Sequence, residues 1–308
     1  MAFTDYDVII IGGGPAGLSA AIYTSRAGLS TLLLERETMG GELINREMIE
    51  NYPGFGEGIE GPELAAGMAE QAMTYGAEFD FGEVESISTI GDTKMVKTDS
   101  NSYSCKGVII TSGSLPRKLG VPGEDEFDHN GVFYCATCDG PQYTGKEVVV
   151  AGAGDSGITD ALALARICTK VTVLEFMAQP KASRVLLDRA DEDPKITVKC
   201  NAKITAVTGD GHMTGVEYED RETGEVCHID AEGLLVRIGL LPNTSFLEGF
   251  IDLTPTKQVP VDENMQTVVP GIFAAGDVRQ YSPMQICTAA GDGVTAAMAL
   301  GRYIQTLG

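Results

Sequence analysis

The apolar positions of this chain fall into two copies of one pattern. Val8-Ile9-Ile10-Ile11 is an unbroken apolar run that leads directly into Gly12-Gly13-Gly14-Pro15-Ala16-Gly17. A run without polar alternation predicts a parallel strand buried on both faces. A helix is expected from residue 18 to about 27, and Thr31-Leu32-Leu33-Leu34 predicts a second buried strand, ending in Glu35. The same order recurs downstream: apolar residues 148–151, then Gly152-Ala153-Gly154-Asp155-Ser156-Gly157, a helical stretch over 158–167, and apolar residues 171–174 ending in Glu175. Strand, glycine turn, helix, strand and acid is the order of a nucleotide-binding βαβ unit.

The glycines have separate duties. Gly12 permits the tight turn, Gly14 lets the backbone approach a pyrophosphate, and Gly17 lets the helix pack close to the strand. Gly152, Gly154 and Gly157 repeat them around Asp155 and Ser156. Each following helix points its positive N-terminus at the phosphates. Glu35 and Glu175 stand near the offset where a carboxylate meets a ribose 2′-hydroxyl. The unit that opens the chain is assigned to FAD and the second to a nicotinamide nucleotide. A carboxylate at Glu175 accepts hydrogen bonds from a ribose diol and repels a 2′-phosphate. Phe176 and Met177 follow it, and the next cations along the chain are Lys181 and Arg184, which favours NADH over NADPH. The plain alternative is that Glu175 only ends a strand at the surface. Near the C-terminus, residues 271–277 read as a short apolar strand ending in Gly276-Asp277. It delivers a carboxylate to a second part of a long ligand, or is an ordinary strand and turn.

Between the two units lies Cys135-Ala136-Thr137-Cys138-Asp139-Gly140. A Cys-x-x-Cys pair beside a βαβ pattern reads as a redox dithiol. Half of a zinc site is the alternative, but it needs two more ligands. The remaining cysteines, Cys105, Cys168, Cys200, Cys227 and Cys287, are scattered, and only Cys227 adjoins a histidine, His228. A helix starting at the motif would favour a thiolate. Asp139 is the candidate proton handler, with an N-cap of the following turn as its structural alternative. Cys105, Cys168 and Cys200 lie in or beside apolar stretches and are expected in the core, and His129, His212 and His228 are given no catalytic role.

Composition narrows the partners. A length of 308 residues suits two domains, and a formal charge of −22 argues against nucleic acid or an anionic membrane as a partner. The chain reaches its first strand at once and has no apolar run long enough to span a bilayer, so a cytoplasmic protein is expected. Seven cysteines, an odd number, fit one catalytic pair among free thiols in a reducing compartment.

Taken with Gly40-Gly41-Glu42-Leu43, Glu50-Asn51-Tyr52-Pro53-Gly54, Thr111-Ser112-Gly113-Ser114 and Gln285-Ile286, these motifs resemble the low-molecular-weight thioredoxin reductase family over essentially the whole chain. The resemblance implies an α/β fold of two Rossmann-like three-layer nucleotide-binding domains, the second inserted into the first. FAD would occupy residues 1–113 with 244–308, and the nicotinamide nucleotide and dithiol 114–243, with crossovers at Thr111 to Gly113 and near Pro242. It also implies a homodimer in which one domain rotates against the other. To the FAD glycines and acids already read, the family pattern adds Pro15, Ala16, Arg36, Gly41, Glu42, Leu43, Asn51, Thr111, Gly113, Gln285 and Ile286. To the NADH site it adds Phe176, Ile238 and Gly239, and it includes no metal. In that pattern Cys138 faces the flavin, and Cys135 attacks a partner disulfide through a mixed disulfide.

The chain departs from the family in two places. Typical members carry His-Arg-Arg where this chain has Glu175-Phe176-Met177, so their clamp on the NADPH phosphate is missing. This region is closer to the NADH-dependent flavoprotein component of alkyl hydroperoxide reductase, as is Ile238-Gly239-Leu240-Leu241-Pro242-Asn243. Typical members also have aromatic residues where Pro141-Gln142 stand, which implies a separate thioredoxin-like redoxin of different surface. Glu42 replaces a common Gln. Two other readings stand beside NADH-driven disulfide reduction: the same dithiol fed by ferredoxin or a deazaflavin, and a non-enzymatic flavin or dithiol redox sensor.

Overall fold

The computed structural model describes residues 5–46 and 48–307, without the side chains of Thr137 and Cys138. The chain divides into two compact units, Met1–Leu115 with Leu241–Gly308, and Pro116–Leu240. In the first, the strand Tyr6–Ile11 pairs in parallel with Thr31–Glu35 on one side and Ser102–Ile110 on the other. Glu78–Phe81 extends one edge, Ile272–Ala274 pairs in parallel with Ser102–Ile110, and the antiparallel strands Thr93–Thr98 and Val84–Ile90 continue the sheet.

The unbroken apolar runs follow from burial on both faces. Val8 and Ile10 pack toward the helices Pro15–Arg26, Gly61–Thr74 and Ile286–Thr306, while Ile9 and Ile11 pack with Ile87, Val96, Leu247 and Val259 on the other side. Side chains alternate across a strand, so a strand covered twice has no position left for a polar residue.

The second unit repeats the plan. Its parallel sheet has the order Ile196–Lys199, Lys170–Leu174, Glu147–Ala151, Gly233–Val236, Val132–Phe133. Val148 and Val150 face the helix Asp155–Ala165, and Val149 and Ala151 face a three-stranded antiparallel sheet, Ala202–Gly209, Met213–Asp220 and Val226–Asp230. The third layer is therefore a second sheet. Both glycine-turn helices begin earlier than the apolar pattern suggests, at Pro15 and Asp155, because the turn residues themselves form the first helical turn.

Beneath the second glycine turn, Arg237 and Asp160 form an ion pair with side chains 5% and 7% exposed. Removing one partner of such a pair leaves a buried charge behind, at a cost of about 3–5 kcal/mol, whereas replacing both by apolar groups is close to neutral. Arg237→Met alone should therefore lower urea stability by about that much, and adding Asp160→Leu should recover most of it.

Candidate active site

In the first unit, Gly12 to Gly17, Glu35, Thr111 and Gly276-Asp277 lie at or just past the carboxyl ends of the parallel strands Tyr6–Ile11, Thr31–Glu35, Ser102–Ile110 and Ile272–Ala274. Gly12 has φ 106°, and a Cβ there would overlap the carbonyl oxygen of Thr111. The Thr111 hydroxyl donates to the carbonyls of Ile11 and Gly12, at 2.9 and 2.8 Å. Gly40 N donates to Gly13 O at 2.8 Å, which lays the Gly41–Asn45 turn, with Glu42 and Leu43, against the glycine turn. A Cβ on Gly14 would meet nothing within 4 Å, so the open side of the turn is at Gly14. Glu35 accepts Gly13 N at 2.7 Å, and its other oxygen accepts Arg36 N and Glu37 N. Arg36 turns to Glu37, with a 2.8 Å ion pair.

The C-terminal segment packs against the same turn. Ala275 N donates to Ile110 O at 2.9 Å, and Gly276 adopts φ 78° with its α-carbon close under Ala16. This delivers Asp277, whose carboxyl is pushed above its usual range by burial; a hydrogen bond from Ser282 opposes the shift and nearby Glu42 and Asp292 reinforce it. Asn51 Nδ2 donates to Gln285 Oε1 at 3.2 Å, which joins two of the family-pattern residues at the start of the helix Ile286–Thr306. Gly113, at φ 64°, accepts Asn243 N through its carbonyl at 2.9 Å.

The second turn has the same construction. A Cβ on Gly152 would overlap Arg237 O, a Cβ on Gly157 would overlap Gly152 O, and one on Gly154 would meet nothing. Glu175, 8% exposed, accepts Ala153 N at 2.7 Å and Met177 N at 2.9 Å on separate oxygens. The acid thus braces its own turn and still has lone pairs for a ribose diol. Asp155 accepts Ser183 N at 2.6 Å, and Gly239, at φ 108°, accepts Arg117 N.

Cys135 is disulfide-bonded, and the other five described cysteines are free thiols. Cys138 lies outside the described side chains. Two contacts hold the segment around Cys135. Phe133 and Tyr143 stack with ring centroids 4.5 Å apart across the motif. Tyr134 donates its hydroxyl to Glu124, a 1% exposed carboxylate that also accepts Leu119 N and Gly120 N. Burial pushes the Asp139 carboxyl up, while His129 pulls it back and Asp128 reinforces the rise. Three sequence expectations change here. The helix at the motif is only Ala136–Asp139, one turn, too short for a useful macrodipole, and Asp139 makes no side-chain cap to the 3₁₀ turn that follows. Cys105 and Cys168 are buried as expected, with burial pushing the Cys105 thiol up to about 12, but Cys200 is only half-buried at a strand end.

Residues 6–293 match the pyridine nucleotide-disulphide oxidoreductase family. The chain belongs to this family. Within it, the chain is 42% identical over 303 residues to the thioredoxin reductase of Bacillus subtilis, covering 98% of this chain and 96% of that one. It superposes on the crystal structure of Lactococcus lactis thioredoxin reductase with a TM-score of 0.96 at 39% identity, covering 98% of this chain and 100% of that one. A Bacillus subtilis protein named NADH dehydrogenase is 40% identical, over 97% of this chain and 58% of its own length.

Membership in the pyridine nucleotide-disulphide oxidoreductases implies FAD and a nicotinamide nucleotide. The residues fit both: each turn is closed beneath Gly12 or Gly152, open at Gly14 or Gly154, and backed by an acid. Sequence reading missed Asp292 and Arg279. Asp292 accepts Gly276 N at 3.2 Å and forms a two-bond pair with Arg279 at 2.6 and 3.0 Å, which fixes the Gly276-Asp277 turn. The only signal was an acid inside the otherwise apolar face of the last helix, beside Gly293, where a Cβ would overlap Ala16 O.

Proposed function

We propose that this oxidoreductase passes electrons from NADH through FAD and a Cys135–Cys138 dithiol to a separate thioredoxin-like protein, as a homodimer. The observation that carries the reading is the disulfide-bonded Cys135 in the unit that also holds the second glycine turn. The thioredoxin reductase relatives support the acceptor, and the relative named NADH dehydrogenase supports the donor. FAD would be held by Gly12 to Gly17, Glu35, Gly41 to Leu43, Thr111, Asp277 and Gln285; it supplies the two-electron carrier between nucleotide and disulfide. NADH would be held by Gly152 to Gly157 and Glu175.

The chain's own groups then perform the exchange. Once the disulfide is reduced, the Cys135 thiolate attacks one sulfur of the partner disulfide, forming a mixed disulfide and expelling a partner thiolate. Cys138 attacks Cys135 Sγ, restores the internal disulfide and releases the second partner thiolate. Two electrons leave the dithiol, and the partner gains two electrons and two protons. Asp139, whose carboxyl is pushed up by burial, is positioned in the chain to deliver a proton to a leaving thiolate.

Anaerobic flavin bleaching tests the donor. NADH should bleach the flavin rapidly and NADPH slowly. Glu175→Gln should lower kcat/KM for NADH about tenfold, the loss of one charge-assisted hydrogen bond. No bleaching by either nucleotide would overturn the nicotinamide reading and make ferredoxin or a deazaflavin the donor to test next.

A further inference from the structure

The residue after Glu175 carries a cation that comes from a distant part of the chain. The Arg221 guanidinium carbon lies 3.9 Å from the centroid of the Phe176 ring, and its Nη1 donates to the Phe176 carbonyl at 2.8 Å. Its backbone is fixed as well. Arg221 N donates to Asn201 O at 2.8 Å, and Asn201, at φ 57°, donates its own N to Met177 O at 3.0 Å. Asn201 Nδ2 also holds the neighbouring Glu222 carboxylate, at 2.6 Å. Arg221 is nevertheless exposed and pairs with no carboxylate among the described residues. A cation therefore sits over the ring of the residue adjoining the ribose acid, with donors left over.

We propose that Arg221, stacked on Phe176, is the specificity residue that receives the 2′-phosphate of NADPH, so that the site admits NADPH as a second donor. The inference rests on Glu175 being the ribose acid of a nicotinamide site. Two opposed charges then act on one position of the nucleotide. Glu175 accepts from a free 2′-hydroxyl and repels a phosphate there, while a guanidinium offers paired N–H donors to phosphate oxygens. Stacking pre-orders the guanidinium plane, which a lysine at 221 would not reproduce. NADH remains the better donor because Glu175 is buried and braced, and Arg221 is exposed and screened.

The test is calorimetric titration of the purified holoenzyme with adenosine 2′,5′-bisphosphate and with AMP, which differ only in the 2′-phosphate. In Arg221→Met, the affinity for the bisphosphate relative to AMP should fall at least tenfold, about 1.4 kcal/mol. Arg221→Lys, which keeps the charge and loses the plane, should give an intermediate ratio. An unchanged ratio in Arg221→Met, including an equal loss for both ligands, overturns the proposal and leaves the nicotinamide site standing. A wild-type enzyme that binds neither ligand overturns the proposal together with the nicotinamide reading.

Discussion

Cys135→Ser should lower turnover of a thioredoxin-like disulfide by at least about 10³-fold, while bleaching of the flavin by its nucleotide donor persists. Serine has nearly the same volume, so the Phe133–Tyr143 stack and the Glu124–Tyr134 bond around the motif stay in place. What is lost is chemical. A hydroxyl is not ionised at neutral pH, cannot attack a disulfide sulfur at a useful rate and cannot close a disulfide with a second cysteine. The measurement pairs steady-state reduction of a thioredoxin-like protein with stopped-flow bleaching of the same preparation. Retention of wild-type turnover would show that electrons leave by another route. Among the free cysteines of the described residues, Cys105 and Cys168 offer poor substitutes, because burial hides both thiols and pushes them up.

The second large effect separates two glycines of one turn. Gly17→Ala should destabilise the first unit by about 3 kcal/mol, because the new Cβ would overlap the Gly12 carbonyl oxygen and crowd the Thr111 hydroxyl. Neither obstacle is the end of a flexible chain. The helix Pro15–Arg26 would have to lift off the strand, and with it the buried packing of Leu18 and Ala21. Gly14→Ala meets open space, and Gly14 already has φ −74°, which alanine adopts freely. It should leave the stability of the flavin-free protein within about 1 kcal/mol and reduce FAD retention at least tenfold. Urea unfolding of flavin-free protein and flavin absorbance after gel filtration read the two effects separately. Equal stability losses for both variants would show that Gly14 is a packing residue and not a ligand-facing one.

Local signals carried much of the fold. Unbroken apolar runs such as Val8-Ile9-Ile10-Ile11 mark strands covered on both faces, because alternation disappears when neither face meets water. The glycine spacing in each turn is equally local: positive φ at Gly12 and Gly152, and the overlap beneath Gly17 and Gly157, arise within a few residues or between adjacent strands. Residue 277 is different. It reaches the first glycine turn only because Ile272–Ala274 pairs with Ser102–Ile110, which in turn pairs with Tyr6–Ile11. The sequence pattern offered its Gly-Asp chemistry but not its address. The Asp292–Arg279 pair that fixes it has no local motif, since its worth depends on burial.

Sequence alone determined the two βαβ units, the acid at the end of each second strand and the cysteine pair with Asp139. Those are short-range patterns whose physics is contained in the backbone and its immediate neighbours. Tertiary structure decided which distant groups meet. It joined Asn51 to Gln285, set Glu124 beneath Tyr134, and brought Arg221 onto Phe176 where the linear chain offered only Lys181 and Arg184. Periodicity along the chain records which faces are buried. It does not record which buried or exposed faces meet, because pairing of strands and turns far apart in sequence is set by the packing of whole sheets.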